Sequence, residues 1–148
     1  MRLFLMTVVA GFSALATVAQ INAAQAVQDT PTNINGVEVV CTGVGSAKDD
    51  PRWAAYPVKI VLATTDGANL ANAHVSLAKN GKEVAGLDCD APWILFKPLP
   101  GSYTATATLI GGNGGSVSSQ AFSTTGDGAQ KEITLTFNRP SNQPVPVN

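Results

Sequence analysis

Few residues in this chain are of a type that could carry chemistry. There is one histidine, His74, two cysteines, Cys41 and Cys89, and a pair of aspartates, Asp88 and Asp90, on either side of the second cysteine. Acyl transfer needs a nucleophile, an imidazole base and a carboxylate to orient it. His74 is the sole imidazole and falls on the outward side of an alternating segment, and no Gly-x-Ser-x-Gly elbow occurs. It reads as a surface histidine, no catalytic residue is assigned, and the chain is read as not an enzyme. Asp88 and Asp90 are two positions apart and would share a strand face, as two carboxylates must to share a proton or hold a cation. Ca²⁺ needs further oxygen ligands that are not evident, so a solvated strand end is the reading and no metal is assigned. The run Gly111-Gly112-Asn113-Gly114-Gly115 lacks the Lys-Ser/Thr of a phosphate loop. No cofactor is implied.

The cysteines take their meaning from the N-terminus. Arg2 precedes an uncharged, mostly apolar run from Leu3 to Val18, and Ala24-Gln25-Ala26 then supplies a small-x-small cleavage pattern. This is the layout of a secretory signal peptide over residues 1–26, with an apolar core short of the ~20 residues that span a bilayer. A membrane anchor is the alternative. No Cys ends the signal to carry a lipid, so no stable membrane insertion is expected after cleavage, and the location is periplasmic or secreted. In an oxidising space a lone pair of cysteines most simply forms one bridge, Cys41–Cys89. Two free thiols or a metal pair are the alternatives, the latter without CxxC spacing and with only His74 to assist.

The charge excludes one class of partner. Nine Lys+Arg against ten Asp+Glu give a net charge of −1, too few bases for a phosphate-binding face, so no nucleic acid is expected. The aromatics suit recognition better: Trp53 and Tyr56 lie in an irregular segment, and Trp93 opens an apolar run. Exposed rings at Trp53, Tyr56 and Trp93 could stack on a sugar or anchor a protein, which makes them the candidate ligand-binding residues. The competing reading packs that loop over an open end of the fold, with Trp53 and Trp93 covering the cysteine bridge.

The elements that must position these residues alternate with period two. Val58, Ile60 and Leu62 share a face, as do Ala73, Val75 and Leu77, then Tyr103, Ala105, Ala107 and Leu109, and finally Ile133, Leu135 and Phe137. Val37–Val44 and Val117–Thr124 also read as strands, and the continuous run Trp93-Ile94-Leu95-Phe96 suits a strand covered on both faces. Asn80-Gly81 predicts a hairpin from the strand ending at Lys79 to one running over Lys82–Cys89. Gly45 to Pro57 is too broken for a long helix, although Asp50 could cap one turn with Pro51 at its first position. The pattern predicts an all-β, antiparallel sandwich of seven to eight strands, with a small barrel as runner-up. Residues 27–35 read as a leader strand or a flexible arm, 36–137 as the domain, and 138–148 as a disordered Pro-rich tail.

Two segments resemble a known family. Asp66-Gly67-Ala68-Asn69-Leu70-Ala71-Asn72-Ala73-His74-Val75-Ser76-Leu77 and Leu99-Pro100-Gly101-Ser102-Tyr103-Thr104-Ala105 are similar to the D-x-x-G-x-P-L-x-G-A-x-V-x-L and L-P-x-G-x-Y-x-V stretches of carboxypeptidase regulatory-like domains. The resemblance covers roughly Pro57 to Phe137 and extends to small exported proteobacterial proteins of that class. It implies a transthyretin-like (prealbumin-like) sandwich used as a non-catalytic accessory or binding module, and it carries no ligand residue. The expectation is an exported module that binds or assembles with an envelope protein or glycan, with carbohydrate binding through the aromatics as the alternative and hydrolysis a weaker one.

Overall fold

The computed structural model describes residues 26–111 and 117–138. All of the expected signal peptide except Ala26, and most of the expected Pro-rich tail, lie outside the described residues. Nine strands form: β1 (Thr32–Ile34), β2 (Val37–Thr42), β3 (Val58–Thr64), β4 (Ala73–Lys79), β5 (Lys82–Cys89), β6 (Trp93–Lys97), β7 (Gly101–Leu109), β8 (Val117–Thr124) and β9 (Lys131–Phe137). They make a five-stranded sheet in the order β1-β2-β6-β3-β9 and a four-stranded sheet in the order β5-β4-β7-β8. One apolar core draws on the inner faces of both sheets, so the molecule is a two-layer sandwich and not a closed barrel.

Every residue that the alternation assigns to the inner faces is buried, from Val58, Ile60 and Leu62 in β3 to Ile133, Leu135 and Phe137 in β9. Two features differ from expectation. The strand count is nine, and β9 runs parallel to β3, pairing Val58 with Lys131 and Thr64 with Phe137, in an otherwise antiparallel arrangement. The alternation of a strand reports which side chains face inward and is the same for either direction of pairing, so it carries no sign of this.

The ninth strand is β1, inside the stretch that reads as a leader strand or arm. Thr32, Asn33 and Ile34 pair with Val39, Glu38 and Val37, which makes 32–34 part of the sheet and rules out a flexible arm there. The turn is Asn35-Gly36, with φ of 51° and 85°, and Asn80-Gly81 repeats it at 52° and 75°. Both residues need positive φ, which Asn tolerates and Gly adopts freely, so two Asn-Gly dipeptides close two hairpins at the same end of the sandwich. The residues before β1 are pinned at the opposite end. Asp29 N donates to Cys41 O at 2.8 Å, the buried Thr42 hydroxyl donates to Asp29 Oδ1 at 2.6 Å, and Gln28 Nε2 donates to Asp90 O at 3.0 Å.

Cys41 near the end of β2 and Cys89 at the end of β5 form the expected disulfide, which joins one sheet to the other from a fully buried position. The bridge closes a loop of sequence separation 48. A loop of this length restricts the unfolded chain by up to about 4 kcal/mol. The double variant Cys41→Ser, Cys89→Ser should therefore lose up to about that much unfolding free energy in a urea titration. Thiol titration of the denatured, unreduced protein should find no free sulfhydryl.

Candidate functional site

The segment between β2 and β3 forms two short 3-10 turns, Gly45–Asp49 and Pro51–Ala55. Asp50 caps the second as its sequence suggests, accepting from Arg52 N at 2.9 Å with Pro51 at the first position. The turns fold over the outer face of the five-stranded sheet because that face is apolar. Val40 and Leu95 point away from the main core, and with Trp53 and Tyr56 they make a second, smaller one. This is the both-faces burial that the run Trp93-Ile94-Leu95-Phe96 suggests.

Of the three candidate rings, Trp53 and Tyr56 are thus interior, 5% and 3% exposed, and neither presents a face on which a sugar could stack. Their polar atoms are spent within the chain. Trp53 Nε1 donates to Ala47 O at 2.7 Å, and Tyr56 Oη donates to Glu38 Oε1 at 2.6 Å. Gln130 Nε2 staples the loop to the start of β9 through the carbonyls of Trp53 and Tyr56, at 2.8 and 2.9 Å. Trp93 is half-buried on the same outer face, apart from the other two, and the close approach of its ring to the end of β2 needs the missing side chain at Gly43, where a Cβ would stand 2.6 Å from its Cγ. Each ring already carries a cation of this chain: Arg52 on Trp53, Lys97 on Tyr56, and Lys59 on Trp93 with Nζ 3.5 Å from the ring centre. The rings form a cover for the sheet and do not make one platform. Trp53 does not cover the disulfide, as the competing reading had it, but lies over Val40 and Leu95.

The polar candidates also separate. His74 Nδ1 lies 2.7 Å from Asp88 Oδ1, its neighbour across the β4–β5 pairing, and both are part-exposed. Asp90 is exposed beyond the strand end and holds Gln28 through its backbone carbonyl, so Asp88 and Asp90 do not act as a pair. Among the described residues no hydroxyl is hydrogen-bonded to His74, and no group of three His, Cys, Asp or Glu side chains could hold a metal.

Sequence reasoning misses the end of the sandwich where the Asn35-Gly36 and Asn80-Gly81 turns meet the β6–β7 connection. A cavity of about 330 Å³ opens there between the sheets, walled by Val37, Val84, Tyr103 and Leu99 and by the side chains of Lys79 and Lys97. Tyr103 Oη donates to Leu99 O at 2.6 Å and fixes the connection, yet the Leu99 side chain is left 79% exposed. A hollow of about 500 Å³ on the outer face of the four-stranded sheet is lined only by uncharged residues, among them Ser102, Thr104, Ala121 and Ser123. The signal that could point to the end cavity is the exposed Leu in Leu99-Pro100-Gly101, a large apolar side chain inside a turn.

Both phenols are perturbed in one direction. Burial pushes Tyr56 up, its hydrogen bond to Glu38 adds to this, and burial pushes Tyr103 up as well. The bond from Tyr56 holds the Glu38 carboxyl below its usual range, with Lys97 assisting. A raised phenol contributes stability that is full below the unfolded value of about 10 and is lost as pH rises above it. A depressed carboxyl contributes stability above its unfolded value of about 4.3 that is lost as pH falls. Absorbance of the folded protein at the phenolate band should therefore begin to rise at a higher pH than that of the unfolded chain. Tyr56→Phe should lessen the alkaline loss of stability and move the Glu38 titration back toward its usual range. No family model matches this chain, and no curated protein matches it.

Proposed function

We propose that the chain is an exported, non-enzymatic sandwich module of transthyretin-like type that works by binding an envelope partner. Its contact surface is the end that carries Leu99, Asn35-Gly36 and Asn80-Gly81. The signal-like N-terminus and the disulfide support export, and among the described residues no helix is long and apolar enough to cross a membrane. The buried Tyr103 that closes on Leu99 O supports the family resemblance, because the Leu99-Pro100-Gly101-Ser102-Tyr103 stretch there performs a packing role.

The observation that carries the binding reading is the exposure of Leu99 at the mouth of an apolar-walled cavity. A leucine held out by its own turn beside unfilled apolar walls gains most from a partner that removes both from water. The glycan alternative retains only Trp93, half-buried and already carrying Lys59.

A photoreactive benzophenone side chain placed at Leu99 should capture an envelope protein in the native cell envelope. The same group at Thr134, exposed on β9, should not. Equal capture from both positions would remove this end as the contact surface, and capture of cell-wall glycan alone would put the carbohydrate reading ahead.

A further inference from the structure

Lys79 ends β4 at the mouth of the same cavity, and its surroundings differ from those of the other cations nearby. Lys97 turns its ammonium outward to Glu38 at 3.4 Å and to the Tyr56 ring at 4.8 Å, so it lends the cavity its stem. Lys79 Nζ instead lies 5.5 Å from the centre of the Tyr103 ring, at the cavity wall. Among the described residues it forms no ion pair; the pairs present are Arg52–Asp50, Lys59–Glu132, His74–Asp88 and Lys97–Glu38. The ammonium lies close over Gly101, where a Cβ would come 3.1 Å from Nζ, so any larger residue there would crowd it. The cavity thus combines a lysine without an ion pair among the described residues with apolar walls on both sheets.

The Lys79 side chain, on a half-buried residue and without an ion pair among the described residues, has the attraction of one aromatic face. An anion entering the cavity would restore the missing charge, and an apolar body behind it would cover Val37, Val84 and Leu99. The cavity is small for a ligand site, at the low end of the roughly 300–1,000 Å³ range, so the body must be short. Resting on the binding reading above, we propose that this end of the sandwich binds a medium-chain fatty carboxylate. The carboxylate pairs with Lys79 Nζ and the alkyl chain lies along Val37, Val84, Leu99 and Tyr103.

The charge of the head group makes this testable. Decanoate, decanol and decyltrimethylammonium share one chain, and calorimetric titration below their micelle-forming concentrations compares their heads. Decanoate should bind, decanol should bind about tenfold more weakly or worse, and the ammonium compound should not bind, since a hydrogen bond to a charged group is worth about 1.5–3 kcal/mol. Lys79→Met should bring decanoate down to the level of decanol, whereas Lys59→Met, remote from the cavity, should leave it unchanged. Should Lys79→Met fail to fold, Leu99→Asp serves, because that side chain is 79% exposed and a carboxylate there should abolish decanoate binding.

Absence of decanoate binding overturns the proposal, as does equal binding of decanoate and decanol, or binding unchanged in Lys79→Met. Tighter binding of a Leu-terminated tripeptide with a free carboxylate than of decanoate overturns the fatty-chain assignment. Protein capture from position 99 together with no decanoate binding would leave the binding reading standing and remove only this one.

Discussion

Two sheets stacked face to face are held by the interdigitated apolar contact between them, and a covalent tie across it adds a fixed point that packing alone does not supply. Here the fixing element is the buried Cys41–Cys89 bond, which joins β2 of one sheet to β5 of the other. Its position along the strands matters as much as its strength. β2 leaves the Asn35-Gly36 turn and β5 leaves the Asn80-Gly81 turn, and each cysteine comes at or near the far end of its strand. The covalent tie therefore lies at the end opposite the turns. The residues before β1 reinforce that same end, where Asp29, Thr42, Gln28 and Asp90 are drawn together. With one end closed in this way, the other can carry tight turns and an unfilled cavity without the sheets separating.

A second constraint comes from strands that are apolar on both sides. Val39, Val40 and Cys41 in β2 and Ile94, Leu95 and Phe96 in β6 are all fully buried, although alternate residues point to opposite faces. One face meets the four-stranded sheet. The other must be covered by something, and among the described residues the long connection beside it is the one between β2 and β3. Trp53 and Tyr56 follow from that need: large rings bury much area per residue, and Trp53 Nε1–H and Tyr56 Oη–H each find a partner at the edge of the cover. A buried apolar outer face thus uses up the residues that, by type alone, look most suited to gripping a ligand.

The fold class was legible because period-two alternation is a direct consequence of strand geometry, and it located the inner residues of β3, β4, β7 and β9 as they are observed. The disulfide was legible from cysteine number together with the expectation of export. Four things were not. β1 has too few apolar residues to announce itself, and only the Asn35-Gly36 turn marks it. The parallel pairing of β9 on β3 leaves no trace in alternation. The fate of Trp53 and Tyr56 depended on whether the sheet beside them needed covering, which is a property of β2 and β6 and not of the loop. The end cavity was the least legible, because Val37, Lys79, Val84, Leu99 and Tyr103 come from four strands and a turn and converge only when both sheets are in place.

That convergence bears on how such a module could acquire a ligand. Turns at a sandwich end contribute little to the core, so their side chains can change without cost to the inner faces that hold the sheets together. In a chain with 13% charged residues, most of the cations close to an aromatic ring are also matched with a carboxylate: Arg52 with Asp50, Lys59 with Glu132, Lys97 with Glu38. Lys48 and Lys79 depart from this, Lys48 lying 5.9 Å from the Trp93 ring centre. Of the two, Lys79 borders the end cavity, and Gly101 beneath it leaves the room it occupies. A cation matched elsewhere serves the cover of the sheet. One left unmatched beside apolar walls serves whatever brings the missing charge.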